Sequence, residues 1–571
     1  VFARDTFFRK CCKCLFWHFH YTTHGIEVSF FYAKSRTCSF IENKENSAKP
    51  IDNLLKKYKI PIKQSALYYK EMGDENFMAT FITGLVILLL GGWLYGKFVE
   101  HVFKPDDRET PAVRMKDGID YVPMNKWKNA LINLLNIAGT GPIFGPIQGI
   151  LFGPIAFITI PIGCVISGAT HDYLSGMMSL RQNGAQMPGI IRKFLGNKTY
   201  QVYNIFLCFL MLLVGAVFTY TPGDLFAGQI CGFQDVNVWT WVIYGVILLY
   251  YLVATLFPID KIIGKIYPIF GAILLLSAVG VFAGIFIQGY QLDNIDFSHG
   301  LKGIFDVYPI FDAEGNSGAG TKFIPVFFVT VACGITSGFH STQCTLIGRS
   351  VEHEKEGRTV FYGMMILEGL IAMIWAAAAM GLYNSGSTAG ATAAVGEVAK
   401  GLLGPVGGII AILGVIVLPI TSGDTALRSC RLMVADYLHI DQKTRKNRVL
   451  VTLGIFIPVI LILVFAKMNT EGFNILWRYF AWSNQTIGVF AFAAITIYLM
   501  AKKGAKKGIY LIALIPGSFY MFIISSFILS QKIGFGLPMT VAYIIAGVLT
   551  ALYFAGLIKL GRKYAASHEE E

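Results

Sequence analysis

Five ionisable side chains stand in or at the ends of apolar runs of this sequence, where a charge is costly and usually has a task. Glu368 is alone within the run 360–382, and His340 lies in Gly334-Ile-Thr-Ser-Gly-Phe-His-Ser-Thr-Gln343. His171 and Asp172 close another run in Gly168-Ala-Thr-His-Asp-Tyr173, and Asp424 sits in Thr421-Ser-Gly-Asp-Thr-Ala-Leu-Arg428. A carboxyl that can be protonated or ionised is what proton coupling requires, so Glu368 reads as a relay or as a neutral structural hydrogen bond. Thr421, Ser422 and Asp424 offer several oxygens within one turn, suited to Na⁺ or to proton exchange. His171, Asp172 and Asp424 have a second reading at the membrane interface, where a charge costs little. Arg478, in Trp477-Arg-Tyr-Phe-Ala-Trp-Ser-Asn-Gln485, suits an internal carboxylate or an anionic substrate.

Two interrupted segments must position such groups. Asn136-Ile-Ala-Gly-Thr-Gly-Pro-Ile-Phe-Gly-Pro146 places three glycines and two prolines within residues 139–146, which excludes regular helix. The freed backbone groups cannot face lipid and must meet protein or a water-filled cavity. The second interruption is 334–343, where glycines, hydroxyls and an imidazole break an apolar run. Interrupted helices at corresponding positions of two halves point to a transporter's binding site. The candidate substrate-binding set is therefore Gly139, Thr140, Gly141, Gly145 and Gln148 with Thr336, Ser337, Gly338, His340 and Gln343. The candidate ion-coupling set is His171, Asp172, Glu368, Thr421, Ser422 and Asp424. Close helix packing through small residues is the competing reading of the glycines.

The chain around these segments has 571 residues, of which 54% are hydrophobic and only 15% charged, with mean hydropathy +0.56. A soluble fold of this size cannot cover that much apolar surface with so few charges. An all-α polytopic membrane protein is expected, and its bilayer is its first partner. The net charge of +13 is read as basic loops rather than a nucleic-acid face, because the basic residues fall between apolar runs. The sequence has no GxxxxGK(S/T) phosphate loop, no HExxH and no GxSxG, so neither ATP-driven transport nor an enzyme is expected. No cofactor or metal is expected either.

Apolar runs predict about thirteen spans, near 79–98, 129–149, 151–172, 202–220, 238–257, 267–289, 323–341, 360–382, 403–422, 449–467, 478–500, 508–530 and 537–558. Every second loop is basic, which predicts an outside N-terminus and a cytoplasmic C-terminus. Under that alternation the spans opening at 129 and at 323 run in opposite directions. Residues 129–290 and 323–500 then read as two five-span units in inverted repeat, flanked by an accessory span at 79–98 and two more in 508–558. Residues 1–71 differ in composition and read as a non-homologous extension, disordered or a start-site artefact. Their Cys11, Cys12, Cys14, His18, His20 and His24 lack the spacing of a zinc finger.

Five motifs in order resemble the carbon starvation protein A (CstA) family: Gly141-Pro-Ile-Phe-Gly-Pro-Ile-Gln-Gly149, Gly168-Ala-Thr-His-Asp-Tyr173, Ser337-Gly-Phe-His-Ser-Thr-Gln343, Ser422-Gly-Asp-Thr-Ala-Leu-Arg-Ser429 and Trp482-Ser-Asn-Gln485. The resemblance runs from about Met78 to beyond residue 550. It implies a secondary transporter in the bacterial cytoplasmic (inner) membrane that imports peptides or a small carboxylate such as pyruvate during carbon starvation, coupled to H⁺ or to Na⁺. It also implies the five-plus-five repeat of the amino acid–polyamine–cation transporters. On this reading the substrate lies near the midplane between the two breaks, and free amides at broken-helix N-termini receive its carboxylate. A membrane nutrient sensor that binds ligand without flux is the alternative from another class, and a channel is a third.

Overall fold

The computed structural model describes residues 15–22, 25–32, 78–118, 121–233, 235–256, 260–297, 323–442, 444–469 and 471–570. The chain divides into two units, residues 1–75 and 76–571. In the first, β1 (Leu15–Thr22) and β2 (Gly25–Tyr32) pair antiparallel, with Leu15 opposite Tyr32 and Thr22 opposite Gly25. The other expectations for residues 1–71, the Cys11–His24 set of side chains included, lie outside the described residues.

The second unit is helical. Ten of its described helices are long and apolar enough to cross a membrane, or eleven if one bent pair counts as a span. They are α1 (Ala79–Phe103), α5 (Met187–Ile230), α6 (Val238–Leu256), α7 (Ile269–Ile287), α11 (Glu354–Asn384), α12 (Ala391–Ala435), α13 (Arg445–Met468), α14 (Gly472–Ala501), α15 (Leu511–Ser530) and α16 (Met539–Ser567). The bent pair is α2 (Lys126–Ile137) and α3 (Gly141–Phe152), which meet at 50°. Helix is the favoured answer for each apolar run because it satisfies every backbone group internally, without water. Helices α5 and α12 each turn a corner at a glycine of positive φ, Gly196 at 84° and Gly404 at 70°, a conformation that any Cβ would strain.

The ten helices and the thirteen expected spans differ at three segments, and all three are broken or polar. The run 129–149 is the bent pair. The run 151–172 falls in α4 (156–181), a continuous helix with a π turn at Cys164–Gly168. Its second half carries buried Thr170, His171, Asp172, Ser175 and Ser179, which lower its hydropathy below that of a plain span. The run 323–341 is three short pieces, α8 (Phe323–Thr330), α9 (Ala332–Ile335) and α10 (Gly338–Ile347). Thr336 and Ser337 between α9 and α10 are extended, with φ of −156° and −127°.

These three segments meet inside the bundle beside α11 and α14, the most buried of the long helices. Gly163 and Gly168 of α4 form the notch that receives Ile335, the last residue before the extended pair. A Cβ on Gly168 would stand 2.1 Å from the Ile335 carbonyl oxygen, and one on Gly163 would stand 2.3 Å from its Cγ2. Large side chains such as Trp375, Trp477, Tyr173 and Tyr203 fill the surrounding core.

Candidate functional site

Where α4, α10 and α11 meet, four ionisable side chains form one connected group. The first two are sequence neighbours on α4, and their rings and carboxyl turn inward because this half of the helix is wholly buried. Asp172 uses both carboxylate oxygens: Oδ1 lies 2.8 Å from His171 Nδ1 and Oδ2 lies 2.9 Å from His340 Nδ1. The other ring nitrogen of His340, Nε2, lies 3.6 Å from Glu368 Oε2 on α11. His340 therefore lies between two carboxyl groups from different helices, hydrogen-bonded to Asp172 and close to Glu368 without a hydrogen bond to it. None of the four side chains is exposed at all. His171 and Asp172 are both buried among neighbouring helices rather than exposed at a surface. With neutral imidazoles and two carboxylates the group carries two negative charges, and two protons make it neutral. Neutrality is the cheaper state away from water, so the arrangement is suited to take up and release protons.

His340 stands on the helix that follows the extended pair, and that pair is held from two sides. The Thr336 hydroxyl donates to Ser167 Oγ in the π turn of α4, at 2.8 Å. Asn484 of α14 accepts from the Phe339 amide at 2.8 Å through Oδ1, and its Nδ2 donates to Ser337 Oγ at 3.0 Å. Asn484 thus caps the first turn of α10 from a neighbouring helix, replacing the local cap that Ser337 does not supply. An amide that was expected to receive a substrate carboxylate here has a protein acceptor instead. Gly338 is essential to this contact: a Cβ there would lie 2.2 Å from both the Asn484 carbonyl oxygen and the Gly488 nitrogen, backbone atoms that cannot rotate away. Gly338→Ala is expected to push α10 from α14 and lower the melting midpoint, at a cost of about 1–3 kcal/mol or more. Gly454→Ala, on α13 with nothing within 4 Å of the new Cβ, is the control that melts like the parent.

The first break leaves polar atoms open. At the bend the Gly139 amide donates to Ile137 O rather than one turn back, and the Ser422 hydroxyl of α12 reaches Leu135 O at 3.2 Å and Asn136 O at 3.4 Å. Thr140 Oγ1 and Asn136 Oδ1 are buried with no hydrogen-bond partner, as are Thr170 Oγ1, His171 Nε2 and Gln343 Oε1. Buried polar atoms are nearly always paired, so these unpaired ones are the atoms here with hydrogen-bonding capacity left to meet a ligand or water. The glycines of this break serve close packing. A Cβ on Gly141 would overlap Cys333 at 1.9 Å, and one on Gly145 would press the Thr330 carbonyl oxygen at 3.2 Å, which brings the two broken helices together. A Cβ on Gly139 would lie 2.7 Å from the Phe218 ring. Gln148 is half-buried and donates to Phe144 O of its own helix at 3.3 Å.

Asp424 belongs to a different set of contacts. It is 1% exposed and accepts from Tyr250 at 2.8 Å and Thr425 at 2.9 Å. Thr421 donates back to Leu418 O in its own helix at 2.9 Å. The expected coupling residues thus separate into the His–Asp–His–Glu group and a second group on α12, of which Ser422 touches the first break. Arg478 is half-buried near the start of α14. Ser167, Asn484 and Tyr250 were not among the expected site residues. Asn484 carried a visible signal, since Ser-Asn-Gln interrupts an apolar run, whereas Ser167 and Tyr250 look like any hydroxyl in a span.

One end of the bundle is closed by charges. Arg181, at the end of α4, binds Glu354, at the start of α11, through Nε and through Nη2, the latter at 2.7 Å. The pair is 4% and 1% exposed. The Asp106 amide donates to Glu354 at 3.0 Å, and hydrogen bonds from Arg108 hold the Asp106 carboxyl well below the usual carboxylate range. The Lys502 ammonium and the Arg181 guanidinium each lie 5.0 Å from the Phe103 ring. Burial, with Arg181 and Arg108 nearby, pushes Lys502 down to about 8. At the far end of α13, Lys467 pairs with Asp224, which also accepts from Tyr244 at 2.9 Å.

The family model described as "Carbon starvation protein CstA" matches residues 76–299, 237–401 and 386–526. The chain belongs to the CstA family. An uncharacterized membrane protein of Haemophilus influenzae is 39% identical over 54% of this chain and 92% of its own length. The peptide transporter CstA of Campylobacter jejuni is 27% identical over 54% of this chain and 51% of its own length. The pyruvate/proton symporter BtsT of Escherichia coli is 26% identical over 54% of this chain and 50% of its own length. The matches thus span about half the length of these named CstA relatives. Among solved structures, a manganese transporter variant of Eremococcus coleocola aligns with TM-score 0.51 at 12% identity, over 79% of this chain and 98% of that one. That likeness is one of fold. The residues that the family model matches include all four of the buried group, His171, Asp172, His340 and Glu368.

Proposed function

We propose that this CstA-family chain is a secondary active transporter that imports peptides or a small carboxylate such as pyruvate, driven by protons. The observation that carries the reading is the buried group Asp172–His340–Glu368, whose central histidine stands on a broken helix. Protonation there changes both the charge of the interior and the attraction that holds α10 between α4 and α11. Ion loading is thereby linked to the position of a helix that borders the binding region. The substrate would sit between the two breaks, where Asn136 and Thr140 at the first and Gln343 on α10 have unpaired oxygens. The names of the relatives supply the two substrate classes, and pyruvate/proton symport in one of them favours H⁺.

Alternating access would come from rocking of residues 129–290 against 323–500 as inverted five-span units, with basic loops and the C-terminus cytoplasmic in the inner membrane. A sodium-driven variant of this reading draws on Ser422, whose hydroxyl already meets carbonyls released at the first bend. The test reconstitutes the full chain in liposomes and follows labelled pyruvate and a labelled dipeptide under an inward proton gradient, then under a sodium gradient. Concentrative uptake under the proton gradient alone is the expected result. Accumulation under sodium alone transfers the coupling to the α12 group. Saturable binding with no flux overturns the transporter reading in favour of a sensor.

A further inference from the structure

We propose that Arg431, with Arg448 and Arg428 beside it, holds the phosphate of an anionic phospholipid where α12 meets α13. Arg431 lies in the last two turns of α12 and is only 8% exposed. Its Nε and Nη1 are buried and neither has a hydrogen-bond partner. The charges that act on it are alike: the guanidinium groups of Arg448 and Arg428. Arg428 is steadied by the Ala254 carbonyl, to which its Nη2 donates at 3.1 Å, and Arg448 is half-buried in the first turn of α13.

A guanidinium withdrawn from water with no counter-charge is strongly unfavourable, and two neighbours of the same sign worsen it. Among the described residues no anionic group acts on Arg431, and an anion placed there would relieve that cost. The planar fork of arginine matches the oxygens of a phosphate, and several forks together match it better than any single carboxylate. The surroundings favour a lipid as the source. Leu432 on α12 and Leu450 and Leu453 on α13 are 47%, 64% and 47% exposed, an apolar surface next to the guanidinium groups on which acyl chains can lie. Basic pockets between membrane helices at the headgroup level are where anionic lipids are held. Nothing in the transport reading requires this site, and it stands or falls independently.

The experiment compares melting midpoints of the full chain in vesicles of phosphatidylcholine and in vesicles with an equal part of phosphatidylglycerol. The parent is expected to melt several degrees higher in the mixed vesicles. Arg431→Met is expected to lose that gain, yet to melt no lower than the parent in phosphatidylcholine, because the uncompensated charge has gone. Arg448→Gln, at a half-exposed position where folding is not at risk, is expected to reduce the gain. Inorganic phosphate added to phosphatidylcholine vesicles is expected to leave the midpoint unchanged, and a shift equal to that of phosphatidylglycerol would overturn the lipid assignment. Equal midpoints for the parent in the two lipids, or a gain that survives in both variants, would overturn the site.

Discussion

Asp172→Asn is expected to reduce gradient-driven uptake by about 100-fold or more, the scale on which removal of a proton-transferring side chain acts. The residue meets two histidines at 2.8 and 2.9 Å, so one substitution removes the charge shared by both contacts while keeping the side-chain volume and a hydrogen-bonding amide. The amide cannot accept a proton in the working range. It leaves Glu368, 3.6 Å from the far ring nitrogen of His340, as the sole carboxyl in the group. The chain should therefore still fold, as judged by an unchanged elution profile and a melting midpoint within a few degrees. Counterflow exchange of substrate, which needs no net proton movement, should persist. Asp424→Asn is the informative comparison, because Asp424 bonds to Tyr250 and Thr425 instead. If Asp172→Asn accumulates substrate like the parent and Asp424→Asn does not, coupling belongs to the α12 group.

The second large effect concerns stability. Glu354→Ala is expected to cost about 3–5 kcal/mol, the range for leaving one half of a buried ion pair alone. Arg181 would keep only Asp106, at 3.4 Å and half exposed, and the Lys104 carbonyl oxygen at 3.3 Å. The Asp106 amide would lose its acceptor as well. The double variant Arg181→Met with Glu354→Leu should recover most of the loss, since an apolar pair of similar volume carries no desolvation penalty. Unfolding midpoints of the parent, Glu354→Ala and the double variant are the measurement. A loss below about 1 kcal/mol in Glu354→Ala would mean that water reaches the pair and that it behaves as a surface contact.

Much of the architecture is legible in composition and local pattern. A run of twenty apolar residues admits one solution in lipid, so most long spans lie close to where hydropathy puts them, while α5 and α12 extend well beyond the expected 202–220 and 403–422 at both ends. Both interruptions are visible in the sequence, because proline and clustered glycine disfavour regular helix, but the expectation that all of 139–146 is irregular is corrected: Gly141–Gly149, with Pro142 and Pro146, is helical and only the residues just before it bend. The structure places the breaks at residues 138–140 and 336–337, inside the segments the sequence marks. The segment 151–172 is the harder case. Its polar half looks the same in sequence whether it ends at an interface or continues inward, and only its neighbours bury it.

The sequence by itself determined that this is a membrane protein, that two of its helices are broken, and that His171, Asp172, His340, Glu368 and Asp424 lie in or beside spans. Each of those follows from local chemistry: apolarity, backbone restrictions and the cost of charge in lipid. Only the tertiary structure decided which of the five belong together. His340 is 168 residues from Asp172 and bonds to it, while Asp424 is turned to Tyr250. It also assigned Asn484, 145 residues away from Phe339, as the cap of α10, and Gly338 as the contact that lets α14 close on it. These partnerships depend on how helices cross, and crossing geometry is set by the packing of all the faces at once, which no short stretch of residues contains.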